Sequence, residues 1–138
     1  MNENKQDALQ VLKNFIIVMS DWEVVNYQRV EEQGLAAIHD EAQLKLREIF
    51  AKYCTIKERK YGKPDYFSIG WPAKYSSDEE ILSVEEVKKN RVQITTRHIL
   101  YKTVYEYRYT LHYKNQEWRI DKKEKYDPEL EKWVKWLL

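Results

Sequence analysis

The hydrophobic pattern of this chain changes its period near residue 60. Before that point, apolar residues recur at steps of three and four, the spacing of an amphipathic helix. Beyond it, apolar and polar residues alternate over several segments, as they do in strands with one buried face. A sheet that is apolar on one face needs helices on that face only. The pattern therefore predicts an α+β fold in which N-terminal helices pack on a mostly antiparallel sheet.

Two helices are predicted in the first part of the chain. The first covers about residues 6–32, and the second begins at residue 35 or 40 and ends near residue 57. Gly34 separates them as a stop signal. Ile17 and Val18 widen the apolar stripe of the first helix, which predicts that this helix is covered on more than one side.

Five strands and a short C-terminal helix are predicted downstream. The strands are residues 66–71, 81–88, 91–100, 103–114 and 117–126. Pro72 ends the first of them, and the pairs Lys89-Asn90 and Asn115-Gln116 are typical of tight turns. The run Asp127-Pro128-Glu129 is typical of a helix start, because it combines an N-cap, a Pro at the first helical position and acids in the first turn.

The alternation also predicts which strand residues face the helices. The inward set is mostly apolar or aromatic: Val92, Ile94, Thr96, His98, Tyr105, Tyr107, Tyr109, Leu111, Tyr113, Trp118 and Ile120. The same alternation places Arg108, Arg119, Asp121 and Lys123 on the outer face and Glu124 on the inner face.

Composition argues against several classes of protein. The 138 residues suit one domain spanning 1–138, and a formal net charge of +1 gives no field that would draw the chain to nucleic acid or to an anionic membrane. Basic residues on the outer sheet face are interspersed with acidic ones, so cross-strand ion pairs are favoured over nucleic-acid binding. Cys54 is the only cysteine, the N-terminus lacks the pattern of a secretion signal, and no apolar run could span a bilayer. Together these features predict a cytoplasmic protein.

Metal and cofactor sites are not indicated. His39, His98 and His112 show no ligand spacing, and a single cysteine cannot build a thiolate site. The three glycines do not form a phosphate-binding loop. We therefore expect neither a metal nor a cofactor.

Several motifs of the chain resemble one family of folds. The closing strand Glu117-Trp118-Arg119-Ile120-Asp121-Lys122 resembles the nuclear transport factor 2-like fold. The segments LREIFAKYCT at 46–55, GWP at 70–72 and ILSVEE at 81–86 narrow this resemblance to the bacterial immunity proteins of that fold. Those proteins are encoded beside polymorphic toxins, including Rhs-type toxins, and neutralise them by binding. The resemblance implies a curved sheet that forms a cone with a pocket at its wide end, and a cognate toxin C-terminal domain as partner.

The resemblance also leaves an alternative function, because cone-shaped relatives include isomerases. Such a small-molecule-binding or isomerase-type protein would need a carboxylate or an imidazole inside an apolar pocket. The pocket candidates are His98, Tyr107, Tyr109 and Glu124. A structural role for His98 under the helices is the favoured interpretation, and these residues offer no convincing acid–base pair. We therefore expect no catalytic residue and no enzymatic activity.

Acidic residues cluster on a predicted loop and the start of the following strand. Asp78, Glu79, Glu80, Glu85 and Glu86 lie within nine positions. A patch of this kind suits a basic partner such as a nuclease toxin, while an ordinary solvated loop explains it equally well. Trp71 and Tyr75 are the expected aromatic anchors beside this patch. Because relatives of this fold often pair through the outer sheet face, a homodimer is a further expectation.

Overall fold

The computed structural model describes residues 3–138 and begins with two consecutive helices. Helix α1 is Glu3–Gln33 and helix α2 is Leu35–Tyr53. Gly34 joins them with a φ of 85°, a left-handed conformation that glycine adopts without steric cost, and its N–H donates to the Val30 carbonyl at 2.8 Å. Both predicted helices are confirmed, although α2 ends four residues earlier than expected.

One face of α1 is buried and the opposite face is not. The buried face follows the predicted stripe of Ala8, Leu12, Phe15, Ile16, Met19 and Trp22. Ile17 is 47% exposed, and Val24 and Val25 are also exposed. Val18 is half-buried against the core and α1 packs on both α2 and the sheet, but Ile17 is exposed, so only one of the two residues that widen the stripe is covered.

The second part of the chain forms one five-stranded antiparallel sheet, curved and open at both edges. The strands are β1 (Glu80–Lys88), β2 (Arg91–Leu100), β3 (Thr103–Lys114), β4 (Glu117–Asp127) and β5 (Lys132–Trp136). Their spatial order follows their order in the chain. The predicted bounds of β2 and β3 are reproduced, and β1 and β4 each differ by one residue. The α+β prediction is confirmed.

Two predicted elements are wrong. Residues 66–71 form no strand: Phe67 instead packs its ring against Trp22 and His39, with centroids 5.4 Å and 4.9 Å apart. Phe67 is thus packed by helix side chains and not by a hydrogen-bonded ladder, whereas Tyr66 and Trp71 stay exposed. Residues 128–131 form a turn, and the chain then returns as β5.

The Asp127 carboxylate explains why the end of β4 resembles a helix start. Its Oδ1 atom accepts the N–H groups of Glu129 at 2.9 Å and Leu130 at 3.2 Å, as an N-cap would. Glu131 then adopts a φ of 53°, which cannot continue a right-handed helix. The capping motif is therefore real, but it closes a hairpin turn.

A β-bulge in β4 changes which residues face the helices. Thr110 pairs with Lys122 whereas Leu111 pairs with Ile120, so Asp121 is an extra residue in the ladder. Trp118 and Ile120, before the bulge, are buried as predicted. After it the alternation is inverted.

The inverted alternation corrects two predictions. Lys123 faces inward and is 5% exposed, whereas Glu124 lies on the outer face and pairs with Arg108. The predicted outward orientation of Lys123 and inward orientation of Glu124 are both wrong. The outward orientation predicted for Arg108 holds, since its partner is on that face.

Candidate functional site

A cavity of about 890 Å³ lies between the 60–75 segment, the inner face of the sheet and the C-terminal residues. Its aromatic lining comes from Tyr61, Tyr66, Phe67, Tyr75, Tyr105, Tyr107 and Trp136. Its basic lining comes from Lys60, Lys63, Lys74, Lys123 and Lys135. Among residues 3–138, no Asp, Glu or His side chain lines this cavity. The cavity is therefore aromatic and cationic.

Lys123 is the most buried of these basic residues. Its Nζ atom lies 4.0 Å from the ring centroid of Tyr107, 4.6 Å from that of Tyr75 and 5.3 Å from that of Tyr109. Within the described part of the chain, Lys123 has no hydrogen bond and no ion pair. Burial lowers the pKa of Lys123 to about 8, and the nearby Glu79 carboxylate offsets only part of this change. Three aromatic faces thus surround an ammonium group that has no direct counter-ion.

Two more lysines converge on the same space from the 60–75 segment. Lys63 Nζ donates to the main-chain oxygen of Leu138, which also lines the cavity, at 3.0 Å and lies 5.9 Å from the Tyr75 ring centroid. Burial, followed by repulsion from Lys74, lowers the pKa of Lys63 to about 8. Lys74 Nζ is 3.5 Å from the Ser68 hydroxyl. These charges repel one another across the cavity.

Two buried carboxylates lie behind the cavity wall, and both accept hydrogen bonds that hold neighbouring segments together. Glu23 on α1 accepts the backbone N–H groups of Lys74 and Tyr75 and so holds this loop against the helix. Glu79 accepts the Thr96 hydroxyl at 2.7 Å and the Tyr109 hydroxyl at 2.9 Å. Burial raises the pKa of Glu23.

These contacts correct two of the predicted partner-binding residues. Tyr75 is 1% exposed and Glu79 is 8% exposed, so both lie in the interior. Glu79 turns inward because the buried hydroxyls of Thr96 and Tyr109 are its hydrogen-bond donors. Neither residue contributes to an exposed patch.

The remaining candidates do form an exposed set, which we call the acidic edge: Asp78, Glu80, Glu85 and Glu86. It lies on the loop before β1 and on β1 itself, at one edge of the sheet. Glu80 is paired with Arg97 at 2.9 Å. Trp71 is 60% exposed, and its ring centroid lies 5.3 Å from that of Tyr27.

Comparison with known proteins identifies the fold and its family. Residues 7–137 match the family model described as NTF2 fold immunity protein. The chain belongs to this immunity protein family. It is 44% identical over 131 residues to "Immunity protein RhsIA" of Dickeya dadantii (strain 3937), an alignment that covers 95% of this chain and 96% of the relative. No solved structure is detectably similar to it. The predicted resemblance is therefore confirmed.

The pocket candidates are only partly brought together in this immunity protein. Tyr107 lines the cavity, but Tyr109 is completely buried behind it, and Glu124 lies on the other side of the sheet. His98 is 3% exposed and does not line the cavity. The sequence indicated neither Lys123 nor Lys63. Lys123 was missed because residues 121–125 are all charged and conceal the shift in register at the bulge, and Lys63 lies in a segment without regular alternation.

The remaining candidates for reactivity or metal binding in this immunity protein are Cys54 and the His, Cys, Asp and Glu side chains. Cys54 is fully buried at the end of α2, and burial raises the pKa of its thiol to about 12. Among residues 3–138, no three His, Cys, Asp or Glu side chains are arranged to hold a metal ion. In the same part of the chain, no helix is both long and apolar enough to cross a membrane.

Proposed function

We propose that this protein binds one cognate Rhs-type toxin C-terminal domain in the cytoplasm and neutralises it. The observation that carries the proposal is the near full-length similarity to an immunity protein named for an Rhs system. Binding, and not destruction of the toxin, is the proposed mode of action, because no Asp, Glu or His side chain among residues 3–138 lines the cavity. The expected partner is a protein domain and not nucleic acid or a membrane.

The acidic edge is the proposed steering surface for this partner. Asp78 and Glu85 are exposed carboxylates, one on a loop and one on the edge strand β1. Both are accessible to a basic partner that approaches this edge of the sheet. Complementary charge on two surfaces raises the rate of encounter more than it raises the affinity. Tight binding also needs a desolvated aromatic anchor, and the exposed Trp71 is the proposed one.

The shape of β1 favours side-chain recognition over addition of a strand to the sheet. The register of β1 with β2 shifts between Ile81 and Ser83 and again between Glu86 and Lys88. Leu82 and Val87 occupy these irregular positions and are 41% and 43% exposed. Two bulges in nine residues distort the free edge of the strand, and such distortion opposes pairing with a foreign strand.

The absence of catalytic activity is part of the same proposal. Of the predicted carboxylate and imidazole candidates, Glu124 is on the outer face and His98 is outside the cavity. An isomerase that used a carboxylate or an imidazole would need that group beside its substrate. Turnover of a small molecule that disappears in His98→Ala, with the fold intact by circular dichroism, would refute the non-catalytic assignment.

Co-expression tests the function directly. The proposed cognate toxin C-terminal domain, sought in the neighbouring open reading frame, is expressed with and without the protein, and purified components are combined on size-exclusion chromatography. We expect growth to be rescued and a stable complex to form. If the toxin kills cells despite this protein and no complex is found, the proposed function is wrong.

Charge reversal tests the acidic edge separately. The variant Asp78→Lys/Glu85→Lys is expected to lower the association rate constant at low salt by about tenfold. The matched control is Asp7→Lys/Glu129→Lys, which makes the same change of charge at exposed positions elsewhere. If the wild type rescues growth but both variants associate with the toxin domain at equal rates, the proposed function is retained. The acidic edge is then not the steering surface.

A homodimer through the outer sheet face remains a separate proposal. That face carries the Arg108–Glu124 and Arg97–Glu80 ion pairs, so it is patterned with charge. Sedimentation equilibrium should detect a dimer whose stability falls with added salt. A monomer at the highest soluble concentration would rule it out.

A further inference from the structure

The starting observation is a buried cation that makes no ion pair and no hydrogen bond to an anion within residues 3–138. An ammonium group removed from water is costly unless a carboxylate or several hydrogen-bond acceptors replace its hydration shell. Lys123 has neither within residues 3–138, although 95% of its surface is lost. Its Nζ atom lies over the faces of three tyrosine rings, and the residue lines the cavity. The Tyr75 hydroxyl beside it is also buried without a hydrogen-bond partner.

Among the described residues, further lysines, and no acidic side chain, line the cavity beside Lys123. Lys63 and Lys74 line the same space as Lys123, and each lowers the pKa of Lys123 by repulsion. Neither nearby carboxylate is hydrogen-bonded to Lys123: Glu23 accepts two backbone N–H groups, and Glu79 accepts two hydroxyls on Oε2, whereas its Oε1 has no partner within residues 3–138. Both carboxylates offset the positive charge only from a distance. A site of three convergent ammonium groups is complementary to an anion with several acceptor oxygens.

The remaining walls suit an apolar body attached to that anion. The rings of Tyr105 and Tyr107 are parallel, with centroids 6.1 Å apart, and Trp136 lines the same cavity. Tyr61 and Tyr66 are 70% and 62% exposed in the segment that borders it. The volume of about 890 Å³ is within the range of cavities that enclose small organic ligands.

We propose that the cavity binds a carboxylate or phosphate group carried on an aromatic or apolar body. Lys123, Lys63 and Lys74 would contact the anionic oxygens, and Tyr105, Tyr107 and Trp136 would pack against the body. This anion site does not depend on toxin binding. The same chemistry could reach the cavity as a free small molecule or as an acidic side chain of a bound protein, and the experiments below distinguish these sources.

Calorimetric titration of the full chain tests the site with defined probes. 1-Naphthyl phosphate combines both features, inorganic phosphate lacks the aromatic body, and 1-naphthol lacks the charge. We expect 1-naphthyl phosphate to bind with one-to-one stoichiometry and with higher affinity than either comparison compound. No saturable binding of 1-naphthyl phosphate, or equal binding of 1-naphthol, would overturn the proposal.

Single substitutions locate the binding site. Lys123→Met and Lys63→Met should each weaken the binding of 1-naphthyl phosphate by about tenfold or more, the effect of losing one charge-assisted hydrogen bond. Lys13→Met, on an exposed position of α1, is the control and should leave the affinity unchanged. Circular dichroism verifies that each variant is folded. If neither cavity variant weakens binding, the anion is not held where we propose.

Proton uptake provides a readout that does not depend on affinity. Because the pKa values of Lys63 and Lys123 are about 8, a bound anion should raise them and draw protons onto the protein at pH 8.5. Titrations in two buffers of different ionisation enthalpy measure this uptake. We expect net uptake in the wild type and less in Lys123→Met. Binding without uptake would contradict contact with these lysines.

Competition identifies the source of the anion. If an acidic side chain of the toxin domain occupies the cavity, 1-naphthyl phosphate should weaken the complex, and Lys123→Met should weaken it even without the probe. If the natural ligand is a free small molecule, the probe should bind the complex and the free protein alike. These experiments require a toxin complex. The direct titrations do not, so failure of the toxin assay would leave the anion site testable.

Discussion

Arg108 and Glu124 face each other across β3 and β4 and form two parallel hydrogen bonds, from Nε to Oε1 at 3.0 Å and from Nη2 to Oε2 at 3.2 Å. The bulge at Asp121 makes this pairing possible, because it turns Glu124 to the outer face. The Arg108 guanidinium also lies 4.7 Å from the ring centroid of Trp133 on β5. The pair therefore joins three strands where the strand alternation changes.

A double-mutant cycle measures this pair. Arg108→Met and Glu124→Gln are each expected to lower the free energy of unfolding, with a coupling energy of about 1 kcal/mol, because the pair is bidentate and only partly exposed. Urea denaturation of the two single variants and the double variant gives the coupling. Additive effects of the two substitutions would show that the pair contributes no specific energy.

Lys123→Met is expected to raise the free energy of unfolding at pH 7, because it removes a buried charge that nearby carboxylates offset only in part. The pKa of Lys123 is about 8 in the folded state against an ordinary 10.5. Between pH 8 and pH 10.5 the lysine is therefore mostly protonated in the unfolded chain and mostly neutral in the folded protein. Because the unfolded state binds more protons there, the free energy of unfolding of the wild type rises with pH in that window. The advantage of the variant should shrink by roughly 2 kcal/mol between pH 7 and pH 9.5.

Urea denaturation at both pH values measures that change, and Lys13→Met is the control for loss of an exposed lysine. An advantage of Lys123→Met that is equal at the two pH values would mean that Lys123 titrates like an ordinary lysine.

Glu23→Ala should loosen the loop that lines the cavity. The substitution leaves the N–H groups of Lys74 and Tyr75 without their acceptor, at a cost of about 2 kcal/mol or more in unfolding free energy. Amide hydrogen exchange at these two positions should become faster than in the wild type. Asp21→Ala, on an exposed position of the same helix, should leave both amides unchanged. Unaltered protection in Glu23→Ala would show that other contacts hold the loop.

Arg119→Met should destabilise the junction between α2 and β4. Arg119 Nη1 donates to the Ala51 carbonyl and, at 2.9 Å, to the Cys54 carbonyl, so it satisfies acceptors at the end of the helix. We expect a loss of about 1–3 kcal/mol in thermal or urea unfolding. Arg97→Met removes an arginine from a more exposed ion pair and should cost less than about 1 kcal/mol. Equal losses would mean that Arg119 acts only as a surface charge.

Most of the fold was predictable because local patterns and tertiary contacts agree. The stripe on α1 and the alternation in β2 and β3 each bury one continuous face, so period alone located these elements. The two wrong elements lie where local chemistry permits more than one outcome. An Asp127 carboxylate that accepts N–H groups serves a turn as well as a helix. The Phe67 ring can likewise be packed by helix side chains as well as by strands.

The sequence by itself determined the family, the two helices, the antiparallel order of the strands and the inward face of β2 and β3. Only the tertiary structure decided where Lys123 and Glu124 point. The reason is that residues 121–125 are all charged, so no hydrophobic alternation remains after Ile120 to reveal a shift in register. The pairing of Leu111 with Ile120 and of Thr110 with Lys122 places the bulge at Asp121. Because a shift of one position exchanges the two faces of a strand, this extra residue makes Lys123 face the cavity and Glu124 face outward.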